Sequence, residues 1–228
     1  MPRAVGQIDR IKSKAMLDAA GQIIAERGIG APVEAIAQRA GVSKQTLYNR
    51  YGGRTGLIRA LIDRGVENVT ASLNEPVGCA APEATLAAFA RDLMTALLMP
   101  SGVALNRETI QGALGMPELA EAVHKFGGQV MRVRLADFLR AETVAGRLAV
   151  DDPAEAAEFF AGMATARQVQ SMLGVMEPID ATTVDHLSRS IARRFVRAYA
   201  PSPERRRRRP AGRADSRVQD GSPPGPVV

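Results

Sequence analysis

Lys44, Gln45, Thr46, Tyr48, Asn49 and Arg50 set six side chains with hydrogen-bond donors into seven residues, with one apolar residue, Leu47, among them. The chemistry open to such a set is non-covalent. Lys and Arg donate to phosphates and guanine edges, Gln and Asn pair bidentately with adenine, and Thr and Tyr hydroxyls reach phosphate oxygens. Bond-breaking chemistry has no comparable set. His124 and His186 stand alone without metal-ligand spacing, no GxSxG or Walker loop occurs, and the GGRTG stretch lacks the lysine and the length of one. Asp151 and Asp152 are explained by capping the helix that follows them. No enzyme activity, metal or cofactor is expected.

The elements that must hold this set are legible around it. Ile36 and Ala37 begin the apolar face of a short helix, with Ala37 small enough for a second helix to cross closely. Gly41 supplies a turn through the left-handed region and Val42 plugs it from below. Ser43 is an N-cap for a second helix, KQTLYNRY, whose Leu47 points inward and whose donors face outward. The spacing is that of a helix-turn-helix that reads DNA; the plainer alternative is a polar-faced hairpin in some other all-helical protein. Ahead of it, Ile11, Ala15, Ala19 and Ile23, flanked by Leu17, Ala20 and Ile24, predict a supporting helix ended by Gly28 and Gly30.

The run IAQRAGVSKQTLYNRYGGRTGLIRAL, beginning at Ile36, resembles the DNA-binding domain of the TetR/AcrR family of bacterial transcriptional regulators, a likeness running from near Lys12 to about Arg64. The resemblance implies a homodimeric, all-helical repressor with an N-terminal three-helix reading domain and a larger ligand-binding and dimerisation domain. It places Lys44, Gln45 and Thr46 in the major groove, Tyr48 on the DNA backbone, and Arg54 where relatives carry a lysine at the start of the fourth helix. It also suggests that a basic arm with Arg3, Arg10, Lys12 and Lys14 touches phosphate or the minor groove; a solvated terminus fits those residues equally. Pro32 stands where a Ser or Thr cap is usual, and Tyr51 where Phe is usual. The region from Leu105 to Leu173 is similar, more loosely, to the C-terminal domain of an AcrR/AefR-like subset, with Gly112 where that subset often has an acid.

Charge placement agrees independently. The 228 residues carry a net +6; residues 1–65 hold 11 Lys or Arg against 5 Asp or Glu, residues 66–200 hold 12 against 16, and the last 28 hold 7 against 3. A basic face attracts a polyanion without choosing its sequence. Aromatic residues make up 4% of the chain and Trp is absent, which gives little sign of a stacking platform for single strands. No apolar run approaches the ~18 residues of a membrane span, and no signal-peptide stretch opens the chain. A cytoplasmic location without membrane contact is expected, and the lone Cys79, in a Gly/Ala/Pro loop, suits a reducing compartment as an incidental thiol.

Beyond the reading unit the periodicity predicts helix after helix, about nine in all: an all-α fold with a reading domain at 1–53, a helical effector and dimerisation domain at 54–200, and a disordered Arg/Pro/Gly-rich tail at 201–228. Arg205 to Arg209 in that tail could add sequence-independent attraction to DNA. Asp152, Pro153 and Glu155 predict a helix start, with the helix running to Leu173 and closed by Gly174. Candidate effector contacts are Met94, Leu97, Met99, Ile110, Met116, Met131, Phe138, Phe160, Met163 and Met172, with Arg107, Glu108, His124, Arg134, Arg167 and Gln168 as polar fixtures; for any one of the apolar residues core packing is the better explanation, since buried Met needs no ligand. Phe159, Phe160 and Met163, with the seam Val184, Leu187, Ile191, Phe195 and Tyr199, are candidate surfaces for a two-fold dimer, or for packing within one chain. A dimer suits recognition helices that must reach major grooves roughly 34 Å apart. The expectation is a homodimeric repressor on a palindromic operator in double-stranded DNA, released by a small apolar or amphipathic molecule. The alternative is an architectural or corepressor-type module whose helical domain binds a protein and encloses no cavity.

Overall fold

The structure, a computed structural model, describes residues 5–28, 30–113, 115 and 117–201. Arg3, Met116 and the Arg205 to Arg209 run lie outside the described residues. Every regular element among those described is helical: α1 (Val5–Arg27), α2 (Val33–Arg39), α3 (Lys44–Tyr51), α4 (Arg54–Thr70), α5 (Pro82–Leu98), α6 (Pro100–Ala113), α7 (Pro117–Ala122), α8 (Val130–Val144), α9 (Pro153–Thr165), α10 (Gln168–Leu173) and α11 (Ala181–Ala198). A π-helical segment, Val123–Gln129, joins α7 to α8. With α7 and α8 taken as one bent helix, and α9 and α10 as another, nine helices remain.

The first core is small. Met16, Ala19, Ala20 and Ile23 of α1 meet Val33, Ile36 and Ala37 of α2, Leu47 of α3 and Leu57 of α4. The stripe on α1 is therefore rotated from the one its spacing predicts. Met16 takes a buried place in the first core, while Ile11 is left exposed. Gly41 takes φ 65°, and Val42 N–H donates back to the Ala37 carbonyl (3.0 Å), which fixes the angle between α2 and α3. After α3 the chain turns sharply into α4. Gly56 is obligatory there, because a Cβ at 56 would fall inside the Tyr51 carbonyl oxygen.

α4 belongs to both halves of the molecule. Leu57 closes the first core, Ile58 touches Ile24 of α1, and Val69 enters the second core. That second core is built on α5, which buries Leu86, Phe89, Ala90, Leu93, Met94 and Leu98 at helical spacing. α11 lies along it through Val184, Ser188, Ala192 and Phe195, small residues alternating with large so that the two axes approach closely. Phe160 of α9 sits between Phe89 (ring centroids 5.9 Å) and Phe195 (5.0 Å, edge to face), and locks α5, α9 and α11 together. Far from the reading unit, buried Glu142 holds Arg147 through both carboxylate oxygens, and Arg147 also donates to the Ala80 carbonyl (3.2 Å), tying the α8–α9 turn to the loop before α5.

α9 starts as its residues dictate: Asp152 accepts from Ala154 and Glu155 N–H, with Pro153 in the first turn. It ends early. The helix expected to reach Leu173 breaks at Ala166 and Arg167 and resumes as α10 before Gly174 (φ 70°) stops it. No single helix among the described residues is long and apolar enough to cross a membrane.

Candidate nucleic-acid interface and cavity

α3 is held from both ends. Ser43 Oγ accepts from Thr46 N–H (3.0 Å) and lies 2.8 Å from Thr46 Oγ1, while Gly52 (φ 69°) closes the C-terminus. With Leu47 fully buried, Lys44, Gln45, Tyr48, Asn49 and Arg50 stand outward. Several of them hold one another. Gln45 Nε2 donates to Asn49 Oδ1 (2.7 Å), and Lys44 Nζ lies 2.5 Å from Glu34 Oε1 of α2 and 5.5 Å from the Tyr48 ring centre. The Lys44 ammonium holds the Glu34 carboxyl below its ordinary range, and the carboxylate in turn raises Lys44. Both groups are thus charged at neutral pH. Arg54 is turned away: its Nη2 donates to the carbonyls of Gly30 (2.7 Å) and Ala31 (2.6 Å), so it braces the α1–α2 loop. Tyr51 acts similarly, donating its hydroxyl to the Ser13 carbonyl (3.3 Å). Arg39 and Glu26 tie α2 to α1 by paired bonds of 2.9 and 3.0 Å.

A cavity of about 630 Å³ lies among α5, α6, the π segment, α8, α9 and α10. Phe89, Leu93, Leu97, Met131 and Leu135 make its apolar wall, and Asn106, Thr109, His124, Arg132, Glu158 and Gln168 bring polar groups to it. The π segment serves two neighbours at once. His124, Gly127 and Gly128 face the cavity, while Phe126 lies under the Arg59 guanidinium of α4 (3.5 Å to the ring centre), and a Cβ on Gly127 would stand 3.6 Å from Ile62 of α4. α6 does likewise: Asn106, Thr109 and Ile110 line the cavity, and the Glu108 carboxylate rests against Gly28 at the end of α1. Two walls of the cavity are thus in contact with the reading unit or with the helix leading from it. Among the described residues no group of three or more His, Cys, Asp or Glu could hold a metal ion.

The family of bacterial regulatory proteins named for tetR matches residues 16–61, and the C-terminal domain of AefR-like transcriptional repressors matches residues 84–201, just over half the chain. The chain is a TetR-family DNA-binding transcriptional regulator. Over 47 residues it is 49% identical to the HTH-type transcriptional regulator AlkX of Mycobacterium tuberculosis; that match covers 19% of this chain and only 22% of AlkX. Among solved structures, a TetR-family regulator of Mesorhizobium loti is 25% identical with a TM-score of 0.65, covering 83% of this chain and 96% of its own. The flavonoid-responsive regulator FrrA is 28% identical with a TM-score of 0.60, covering 83% and 97%.

The regulator's cavity gathers Ile110, His124, Met131, Leu97 and Gln168 of the residues singled out from sequence, and places the others elsewhere. Met94, Phe138 and Phe160 are core. Met99 sits outside the lining, at the joint of α5 and α6, and Met163 lies on the outer side of α9. Arg167 is exposed at the α9–α10 break. Arg107 donates to the Met172 carbonyl (2.9 and 2.6 Å), and Arg134 joins α8 to α4 through Glu67 and Thr70 Oγ1 (2.8 Å). Both arginines are spent on holding helices together. Of the surfaces considered for a second copy, Phe159 is 56% exposed and Leu187 and Ile191 are half-buried, but Phe195 is only 3% exposed and packs within its own chain. Glu158, Ala161, Gly162 and Thr165 were missed as cavity residues, although their i, i+3, i+4, i+7 spacing with small members marks a helix face that leaves room beside it.

Proposed function

We propose that this regulator is a homodimeric repressor that occupies a palindromic operator and leaves it when an amphipathic, hydroxylated aromatic molecule fills the cavity. The observation that carries the reading is the double duty of the π segment, which lines the cavity with one side and clasps α4 through Phe126 and Arg59 with the other. π-helical turns inside α-helices occur frequently at functional sites. A molecule that binds better when that segment is displaced shifts α4, and with it the reading unit, by its differential affinity for the two arrangements. The cavity's volume suits a drug-sized molecule, its wall is apolar, and its polar groups come from five different helical segments, an arrangement matched to hydroxyls spread around a flat aromatic body. FrrA, by its name, responds to flavonoids, which supports the same class.

On DNA, Lys44, Gln45, Thr46 and Asn49 read base edges from the N-terminal part of α3, with Tyr48 and Arg50 on phosphates and Ser43 setting the helix start. Arg54 acts as a brace that adds positive charge nearby. The self-association face is the outer side of α9, with Phe159, Met163 and Ala166, together with Leu187 and Ile191 of α11. The test is selection of bound duplexes from a random DNA pool, followed by titration of a flavone into the protein bound to the selected duplex. Recovery of an inverted repeat, lost in a Lys44→Ala, Tyr48→Ala variant and released by the flavone, is the expected result. Equal retention of unselected DNA by both proteins would sink the repressor reading, and an operator complex indifferent to every aromatic tried would sink the effector class.

A further inference from the structure

The acids of the reading unit are spent in two different ways. Glu26 pairs with Arg39 and Asp18 with Arg64, while Asp63 lies one turn from Arg59 on α4; these ties join or line the scaffold helices. Glu34 instead takes its partner from the recognition helix: its Oε1 is 2.5 Å from Lys44 Nζ, linking the first turn of α2 to the first residue of α3. Both side chains are more than half exposed, 58% and 55%. An exposed pair of this kind contributes little to stability. A carboxylate at the reading edge also opposes attraction to a polyanion. The helix dipole favours an acid in the first turn of α2, but that preference does not require a partner on α3. General DNA affinity does not account for a carboxylate at the reading edge; base recognition accounts for the pairing.

We propose that Glu34 is a specificity-determining residue of the DNA interface, reading with Lys44 the major-groove edge of one G·C pair as a unit. The ammonium donates to guanine N7 and O6, and the carboxylate accepts from the cytosine N4 amino group. The inference rests on the DNA-binding reading of α3. Across a G·C pair the groove presents acceptor, acceptor, donor. Guanine O6 and cytosine N4 are joined by the interbase hydrogen bond and so stand about 2.9 Å apart. Lys44 Nζ and Glu34 Oε1 present the complementary signs at nearly the same spacing. An A·T pair is a poorer match, since it sets single acceptors on either side of the adenine amino group and offers the ammonium no adjacent pair of them. The opposite orientation, C·G, reverses the order and brings carboxylate against guanine oxygen. Glu34 thus converts a lysine that would accept any phosphate or acceptor edge into a reader of one oriented pair.

The experiment is selection from a random duplex pool by the full chain and by its Glu34→Ala, Lys44→Ala and doubly substituted forms, followed by binding of each to the selected duplex and to copies with that pair changed. Glu34 is exposed on a helix first turn, where Ala is well tolerated, and matched melting curves confirm that the variants fold. The wild-type chain is expected to select an inverted repeat with one G·C pair per half-site for which Glu34→Ala loses about 5- to 150-fold of its discrimination, the range of a good bidentate contact. The double variant should lose no more than the worse single one, because the two side chains act together. Affinity for unselected DNA should rise in Glu34→Ala, with a salt slope steeper by about 0.9 for one freed charge. Unchanged preference at every position in Glu34→Ala, with only tighter binding, would overturn the inference and leave the regulator intact. Failure of the wild-type chain to select any sequence would overturn the DNA-reading assignment itself.

Discussion

At the scale of single residues, the reading unit depends on a few buried or capping groups and on ion pairs with separable pH behaviour. Leu47 is the one buried residue of α3 and plugs the first core, so Leu47→Ala should cost about 2–5 kcal/mol of that unit's stability. Ser43→Ala removes the N-cap bond to Thr46 N–H and should cost about 1 kcal/mol. Chemical denaturation followed by tyrosine fluorescence ranks the two, and equal effects would show that α3 is held by something other than Leu47. The pair of Glu67 and Arg134 is read by pH instead. The arginine holds the Glu67 carboxyl below its ordinary value of 4.5, so its contribution is present above that value and is lost as pH falls through the depressed one. Glu67→Gln should therefore lower the melting temperature at pH 7 by a margin that shrinks as pH falls below 4.5; a gap that does not narrow in acid would mean the glutamate acts by packing. Much at this scale was legible: Gly41, Ser43 and Leu47 declare themselves by type and spacing. The role of Arg54 was not, because a guanidinium at a helix start serves DNA or two carbonyls equally well until the loop through Gly30 and Ala31 is placed beside it.

At the scale of elements, the joint between α3 and α4 and the clasp between α4 and the π segment connect the reading unit to the rest of the chain, and the proposed release depends on them. Gly56→Ala would drive a Cβ into the Tyr51 carbonyl, forcing the two helices apart at a cost of about 1–3 kcal/mol or more. The expected outcome is loss of operator binding with the far-ultraviolet helical signal and the second core retained, measured by anisotropy of labelled duplex beside circular dichroism. Intact binding would mean α4 pivots freely at that point. Phe126→Leu keeps bulk under Arg59 but removes the ring face, worth about 0.5–1 kcal/mol at an exposed site. It should leave affinity for the selected duplex within a few-fold of wild type and blunt release by the effector. Helix starts were open to prediction wherever side chains cap them, as Asp152, Pro153 and Glu155 do. The break at Ala166 and Arg167 was not, since no Gly or Pro marks it. The same holds for the π segment. Gly127 lies against Ile62 of α4, but an extra residue per turn has no sequence signature of its own.

At the scale of the whole molecule, the outer side of α9 bears on assembly. A seam on α11 was expected to serve a second copy, but most of it is consumed within the chain, with Val184 and Phe195 buried against α5 and α9. Periodicity could reveal that α11 has an apolar face but not which body that face meets, because intrachain and interchain burial obey the same 3.6-residue rule. What the chain leaves outward is a patch rather than a seam: Phe159, Met163 and Ala166 at i, i+4 and i+7. A small alanine beside a phenylalanine lets a second helix approach closely, and a two-fold axis would bring each Phe159 against the small residue of the other α9. Phe159→Asp places a charge in the middle of that contact while leaving the core untouched, because the side chain touches solvent in the single chain. The variant should run as a monomer in sedimentation and melt as a smaller unit, with affinity for the inverted repeat lower by roughly 10²–10⁴, the gain that linked half-sites confer, and affinity for a single half-site unchanged. If Phe159→Asp remained dimeric with full operator affinity, the association surface would lie elsewhere, and the exposed apolar group of Val169, Leu173 and Val175 after α9 would be the next candidate.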